Sequence, residues 1–242
     1  MKLERLLEYS ESLAACGTQD EIKAVCKTFA HSLGFEHFIY GAYFPLAENI
    51  VILNGFPDPW RAHYDSAGYM YSDPTVKHCS VKTSAIEWSQ LDLAKDQRGT
   101  AEREIMSEAA VYGLRQGVSV PVHGPGGEWG MMSLSSKERY SPTMIHDTRF
   151  HTQFIAQAAH EALKRVVNAV DGDSLESQLT VRECECLQWT ANGKTAWEIS
   201  KILCLSESTV AFHLKNAINK MAVANRPQAV AKAVAQSRIT LF

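Results

Sequence analysis

The sequence predicts an α+β chain in two parts: an N-terminal α/β/α sandwich on a mostly antiparallel five-stranded sheet, then a C-terminal four-helix domain containing a helix-turn-helix. Three observations carry this. Five short aliphatic and aromatic runs bounded by Gly or Pro fall between residues 35 and 136, and a cluster of helix-start signals with 3.6-residue apolar periodicity follows residue 179. The charge also divides unevenly, residues 1–174 carrying 16 basic and 22 acidic side chains and residues 175–242 carrying 8 and 5, so the parts stand at −6 and +3.

The elements follow in order. Thr18 and Glu21 form a T-x-x-E capping box that opens a helix ending near Gly34. The strands are "FEHFIYGAYF" (35–44), "NIVILNG" (49–55), "SAIEW" (84–88), "GVSVPVHG" (117–124) and "WGMMSLSS" (129–136). The last two are joined through "HGPGGE" as a hairpin, and residues 100–113 form a helix stopped by Gly113. Ser141 and Pro142 are an N-cap and first-turn pair launching a helix to about Val170, with Ile155, Ala159, Ala162, Val166 and Val170 on one face. The polar run Asp171–Gln178 has no apolar period and reads as a linker, giving domains at 1–170 and 179–242.

In the second domain Thr180/Glu183 and Thr195/Glu198 are two more capping boxes, Ser206 before Glu207 is a third start, and Gly193 closes the first helix. Val210, Leu214, Ala217, Ile218 and Met221 make one buried stripe, leaving Ser208, Thr209, Phe212, Lys215, Asn216, Asn219 and Lys220 on the other face. A fourth helix starts near Pro227 and offers Ala229, Val230, Ala233 and Val234 for packing or dimer contact. Only "LCLSE" separates the second helix from the third, so the two must turn sharply. That is helix-turn-helix geometry, and a basic domain tethered to an acidic one can meet phosphate despite a net charge of −3. An ordinary αα-hairpin with a wet polar face would share the spacing.

Other classes find little support. No apolar run approaches a membrane span, and "MKLERLLEYSESLAA" puts charges where a signal peptide has its apolar core, so a cytoplasmic protein is expected. Cys16, Cys26, Cys79, Cys184, Cys186 and Cys204 are dispersed, as reduced thiols would be, and no metal site is expected. HExxH, GxSxG, GxxxxGK[ST] and GxGxxG are all missing, which argues against an enzyme such as a lactone hydrolase.

The stretch "LTVRECECLQWTANGKTAWEISKILCLSESTVAFHLKNAINKM" resembles the DNA-binding module of the LuxR-type quorum-sensing regulators. Glu183, Leu187, Gly193, Lys194, Thr195, Glu198, Ile199, Ser206, Thr209, Val210, His213 and Asn216 carry the likeness, and Ala211 departs from it where many members have Asn. Two-component response regulators end in the same module, but the first part lacks their acidic cluster and acceptor Asp. Instead "GFPDPWRAHYDSAGYMYSDPTVKHC" (55–79) with "IEW" (86–88) is similar to the acyl-homoserine-lactone pocket of that family, closest in look to its LasR-like members.

The resemblance implies a ligand, N-acyl-L-homoserine lactone, and no cofactor. By it Asp73 accepts the ligand N–H, Trp60 donates to the lactone carbonyl, Tyr64 and Ser133 donate to the acyl carbonyl, and Trp88 is a wall for the ring. Thr75 and Val76 lie beside Asp73, and Gly41, Ile50, Ile52, Ile105, Ala109 and Leu114 complete an apolar wall suited to a long acyl tail. Phe56 keeps the ring of a Tyr that LasR-like members carry and loses its hydroxyl. Each residue type also has a plainer use: Asp73 as the cap of a helix at Pro74, Trp60 and Tyr64 as a buried helix face, Ser133 as a small strand residue, Trp88 as core. On the DNA side the resemblance implies contacts from Lys194, Thr195, Ser206, Ser208, Thr209, Phe212, His213, Lys215, Asn216, Asn219 and Lys220, with inverted-repeat double-stranded DNA, a second copy of the chain and RNA polymerase as partners. The same fold sensing another small molecule, or none, is the alternative.

Overall fold

The computed structural model describes residues 1–44, 50–91, 99–124, 127–138, 142–170, 179–236 and 238–240. They form two compact units whose main spans are residues 1–167 and 168–242. The expected linker, 171–178, lies outside the described residues.

The first unit runs α1 (Leu3–Ala15), α2 (Gln19–Ser32), β1 (His37–Tyr43), β2 (Ile50–Gly55), α3 (Asp58–Ser66), α4 (Pro74–Val81), β3 (Ile86–Glu87), α5 (Gly99–Val111), β4 (Gln116–His123), β5 (Trp129–Ser136) and α6 (Pro142–Val170). All five expected strands are present, in the order β2-β1-β5-β4-β3, and every pairing is antiparallel. Thr18 caps α2 with the anticipated box, its Oγ1 accepting from Glu21 N at 3.3 Å while Glu21 Oε2 accepts from Thr18 N at 3.1 Å.

Helix α1 is an addition to the sequence reading, whereas α3 and α4 entered it only as the plainer uses of Trp60, Tyr64 and Asp73. Helix α1 has no side-chain cap at its start, so only Leu6 and Leu13, two turns apart and buried, betray it. Its far end is closed from a distance: the Arg165 guanidinium on α6 donates to the carbonyls of Leu13, Ala14 and Cys16. They lie at a helix end, where i→i+4 partners run out, and Leu13 O takes the Cys16 N–H as well.

Strand parity divides the sheet into two chemical faces. Phe38, Tyr40 and Ala42 of β1, Val118, Val120 and Val122 of β4, and Met132 and Leu134 of β5 share one face and are buried. Helix α2 packs against β1 and β2, and α6 reaches Tyr40 through His160, whose Nδ1 lies 2.7 Å from the Tyr40 hydroxyl. On the opposite face Ile39, Gly41, Ser119, Met131 and Ser133 look towards α3, α4 and α5. This face is not filled as a core.

In the second unit α7 (Val181–Ala191), α8 (Ala196–Ile202), α9 (Glu207–Lys220) and α10 (Arg226–Ala235) surround Cys186, Leu187, Ile199, Val210, Leu214, Ala217, Met221, Ala229 and Ala233. Thr180, Thr195, Ser206 and Asn225 each cap one helix through the side chain. Gly193 follows α7 with φ +77, a backbone region that glycine enters without steric cost.

Candidate functional site

The open face of the sheet borders a cavity of about 100 Å³. That is room for several water-sized groups in a row. Phe56, Trp60, Tyr64, Asp73, Thr75, Val76, Trp88, Ile105, Leu114, Ser133, Gly41, Ile50, Ile52 and Ala109 all line it, so every residue expected at a ligand is brought to one place. Ile39, Ala42, Tyr43, Arg61, Met70, Met106, Trp129 and Met131 line it as well and were missed. For Ile39, Tyr43, Trp129 and Met131 the signal was parity, since residues 39, 41 and 43 alternate along β1 and 129, 131 and 133 along β5; Ala42, Arg61, Met70 and Met106 carried no such signal.

Each polar group at the cavity has a traceable local cause. Pro74 sits in the first turn of α4, and Asp73 before it caps the helix, Oδ1 accepting from Thr75 N at 2.7 Å, Thr75 Oγ1 at 2.6 Å and Val76 N at 3.4 Å. The cap and the cavity residue are therefore one carboxylate. Its second oxygen, Oδ2, accepts from the Tyr64 hydroxyl at 3.0 Å. Burial, and then the Asp73 charge beside it, push the Tyr64 phenol far above the ordinary tyrosine range, so Tyr64 stays a donor.

Trp60 and Tyr64 are one turn apart on α3, both buried, with ring centroids 5.8 Å apart. Among the described residues the Trp60 indole N–H has no acceptor, and the ring lines the cavity. Around it the rim is aromatic: Tyr112 lies 5.5 Å, His63 6.0 Å and Tyr69 6.3 Å from the Trp60 ring. Glu108 ties this rim across two elements, its Oε2 lying 2.6 Å from His63 Nε2 and accepting from the Tyr69 hydroxyl at 2.7 Å. The His63 contact, then Tyr69, holds the Glu108 carboxyl below its usual range, and the Glu108 hydrogen bond pushes Tyr69 up to about 12.

Trp88 lies against β4 because residue 117 has no side chain, a Cβ there standing 2.7 Å from the Trp88 ring. Its indole N–H donates to Ser119 Oγ at 2.9 Å, and Ser119 Oγ lies 2.7 Å from Ser133 Oγ. Ser119 and Ser133 are register partners on β4 and β5. Gly41 contributes in the opposite way: a Cβ there would meet nothing within 4 Å, since it would enter the cavity.

The second unit presents a different surface. Leu203 ends α8, Cys204 turns the chain with φ +55, and Leu205 N donates to Ser200 O at 2.9 Å before Ser206 caps α9. Lys194, Thr195, Ser206, Ser208, Phe212, Lys215 and Asn219 are exposed, and Thr209, His213 and Asn216 are half-buried. Residues 208, 212, 215 and 219 fall on one side of α9. Thr195 and Ser206 are engaged as caps. Lys220 differs from the expected set: its Nζ donates to Glu183 Oε2 at 2.9 Å, tying α9 to α7.

All six cysteines are free, and four are buried. Burial pushes the Cys79 thiol up to about 12, and the Asp73 charge adds to that. Among the described residues no group of His, Cys, Asp and Glu is arranged to hold a metal, and no helix is long and apolar enough to cross a membrane.

Comparison with known proteins assigns these two regions. The autoinducer binding domain profile matches residues 18–163, and that of bacterial regulatory proteins, luxR family, matches residues 177–233. The chain is 32% identical over 236 residues to the transcriptional activator protein VanR of Vibrio anguillarum, covering 96% of this chain and 95% of that one. It is 34% identical to the transcriptional activator protein AnoR of Acinetobacter nosocomialis, over 89% and 91% of the two chains. In fold it follows the crystal structure of Escherichia coli SdiA, with a TM-score of 0.76 at 24% identity over 97% of each chain. The chain belongs to the LuxR family of transcriptional regulators, joining an autoinducer-binding domain to the family's helix-turn-helix DNA-binding domain, and its relatives are regulators, not enzymes.

Proposed function

We propose that this chain is a cytoplasmic receptor for a long-chain N-acyl-L-homoserine lactone, with a ligand domain at 1–170, a linker at 171–178 and a DNA-binding domain at 179–242. Bound to lactone it forms a homodimer, reads an inverted repeat and acts with RNA polymerase in quorum sensing. The observation that carries the ligand reading is the composition of one cavity: an apolar wall interrupted by the Asp73 carboxylate, the Trp60 indole N–H, and the Tyr64 and Ser133 hydroxyls. A lactone offers one amide hydrogen, two carbonyls and an alkyl tail, and each has a counterpart there.

The Asp73–Tyr64 bond adds a condition to that reading. The phenol has one hydrogen and gives it to Asp73, so a ligand carbonyl must draw it away while the ligand N–H takes its place at the carboxylate. The exchange keeps the number of hydrogen bonds on Asp73 constant. Burial of the tail supplies about 0.8 kcal/mol per CH₂, which favours the folded, dimerising state.

Extraction and mass spectrometry of the small molecule that copurifies tests the ligand directly, together with melting temperatures across a panel of lactones. Ligand at about 100 times its dissociation constant stabilises by roughly 2.7 kcal/mol. A copurifying molecule without a lactone ring, with no melting shift across the panel, overturns the proposal.

A further inference from the structure

We propose that Ser119 is a positioning residue for ligand recognition: it sets the direction of a hydrogen-bond relay from Trp88 through Ser119 to Ser133, so that the Ser133 hydroxyl hydrogen is left free to face the cavity. The inference rests on the lactone reading only for the identity of the group that meets that hydrogen. It begins from three atoms. Trp88 Nε1 lies 2.9 Å from Ser119 Oγ, and Ser119 Oγ lies 2.7 Å from Ser133 Oγ. Both serines are buried, yet only Ser133 lines the cavity, with Ser119 behind it.

An indole nitrogen only donates, whereas a hydroxyl donates once and accepts twice. The first link is therefore fixed, Trp88 donating to Ser119. Two arrangements remain for the second. If Ser133 donated to Ser119, the Ser119 hydrogen would have no acceptor among the described residues and, at 0% exposure, no water either. A buried donor left unmade carries the full desolvation cost of that group. If Ser119 donates to Ser133, the Trp88 and Ser119 hydrogens are both used and the one left over, on Ser133, faces the cavity. Accepting from Trp88 also polarises Ser119 and strengthens the bond it gives.

The consequence is a site equipped for an acceptor. At Ser133 a ligand carbonyl meets a hydrogen that no protein group already takes, whereas the reverse relay would offer the ligand lone pairs alone. Trp88 then has two separate tasks. Its ring walls the cavity, in the space left by Gly117, and its N–H orders a hydroxyl two residues away in the relay.

The test is a double-mutant cycle on the full-length protein, titrated with N-octanoyl- and N-dodecanoyl-homoserine lactone. Ser119→Ala and Ser133→Ala should each weaken binding about fivefold to tenfold, the range of one neutral hydrogen bond. In the Ser133→Ala background Ser119→Ala should cost less than twofold, because there is no hydroxyl left to orient. Ser119→Thr, which keeps a hydroxyl, should restore binding to within about twofold of wild type. Equal losses from Ser119→Ala in both backgrounds would overturn the relay, as a merely structural Ser119 would produce them. Should the alanine variant fail to fold, Ser119→Cys keeps the size with a weaker donor and carries the same cycle.

A second readout needs no lactone. In protein with ¹⁵N-labelled tryptophan, the Trp88 indole resonance, assigned through Trp88→Phe, should shift in Ser119→Ala and shift less in Ser133→Ala. A resonance that ignores either substitution overturns the relay. Wild-type protein that binds neither lactone but shows both shifts would refute the ligand reading and leave the relay standing.

Discussion

Each domain sets a carboxylate at a helix N-terminus, and the two are answered differently. Glu183, 3% exposed, completes the capping box of α7 and receives the Lys220 ammonium at 2.9 Å. Asp73, half-buried, caps α4 and receives only neutral donors: Tyr64, Thr75 and two backbone N–H groups. A carboxylate paired with a cation is closed, since its charge is already neutralised and its partner holds two helices together. One that meets only neutral dipoles beside a cavity keeps its charge available to a ligand hydrogen. The helix start is the same device in both places, and the surroundings decide between scaffold and site.

The largest effect should come from breaking the closed pair. Glu183→Ala removes the buried carboxylate that ties the half-buried Lys220 of α9 to α7, together with half of a capping box, at a cost of about 3 kcal/mol to the C-terminal domain. Thermal or urea unfolding followed by a probe in that domain measures it. A loss under about 1 kcal/mol would place this pair with ordinary surface ion pairs. The pair also sets an acid limit. Burial raises the Glu183 pKa, but the Lys220 and Thr180 hydrogen bonds outweigh it and the net position is below the usual glutamate value. A folded pKa below the unfolded one means stability that is complete above about pH 4.3 and lost as pH falls through the folded value. Glu183→Gln should flatten that acid dependence.

Asp73→Asn tests the open carboxylate. Asn caps a helix nearly as well as Asp, so the melting temperature without ligand should hold, while lactone affinity should fall at least tenfold with loss of a bond worth about 1.5–3 kcal/mol. Full lactone response in this variant would reduce Asp73 to a cap. Trp60→Phe should cost less, roughly 1 kcal/mol, since it removes one neutral donor and keeps most of the wall.

The difference between the domains also explains what was legible. In the C-terminal domain the information is local: Thr180, Thr195 and Ser206 announce α7, α8 and α9 within four residues of each start, and the sequence places all three. Lys220 was the exception, because its partner Glu183 lies 37 residues away and no periodicity on α9 reveals it. In the N-terminal domain the strands were legible from composition, but α1 was not, and α3 and α4 showed only as the plainer uses of Trp60, Tyr64 and Asp73. Helix α1 has no side-chain cap and α4 is only eight residues long. The cavity set came from resemblance, since residues spread from 41 to 133 share a place only through the sheet register. Ser119 was invisible for that reason: it touches no ligand position in sequence, and only its pairing with Ser133 across β4 and β5 gives it a role.

Gly41→Ala probes the cavity without touching its polar groups. A methyl there meets no protein atom within 4 Å, so folding should be unaffected or slightly improved by removing a strand glycine. The methyl instead occupies space a tail would fill, costing the longest lactone that binds about 0.8 kcal/mol, one CH₂ of burial, with little change for a tail too short to reach. Equal losses for long and short tails would move the tail path away from β1.

The smallest effect concerns the DNA face and separates two lysines one helical face had seemed to share. Lys215 is exposed on α9, beside Phe212 and Asn219, whereas Lys220 is held by Glu183. A lysine that meets phosphate releases a counterion on binding, so its removal should lower the salt slope by about 0.9, and the deficit against wild type should widen about 3.5-fold for each fourfold drop in salt. Lys215→Ala should show this with unchanged stability. Lys220→Ala should do the reverse: it exposes the buried Glu183 charge and destabilises the domain, yet leaves the salt slope of the folded fraction near wild type. Both slopes come from titrating an inverted-repeat duplex, with half-sites about 10 bp or a multiple of that apart, across a salt series. If Lys220→Ala lowered the slope as far as Lys215→Ala, the ammonium would have to leave Glu183 for phosphate when DNA binds. The closed carboxylate would then be a switch between free and bound states, and the distinction drawn between Glu183 and Asp73 would fail.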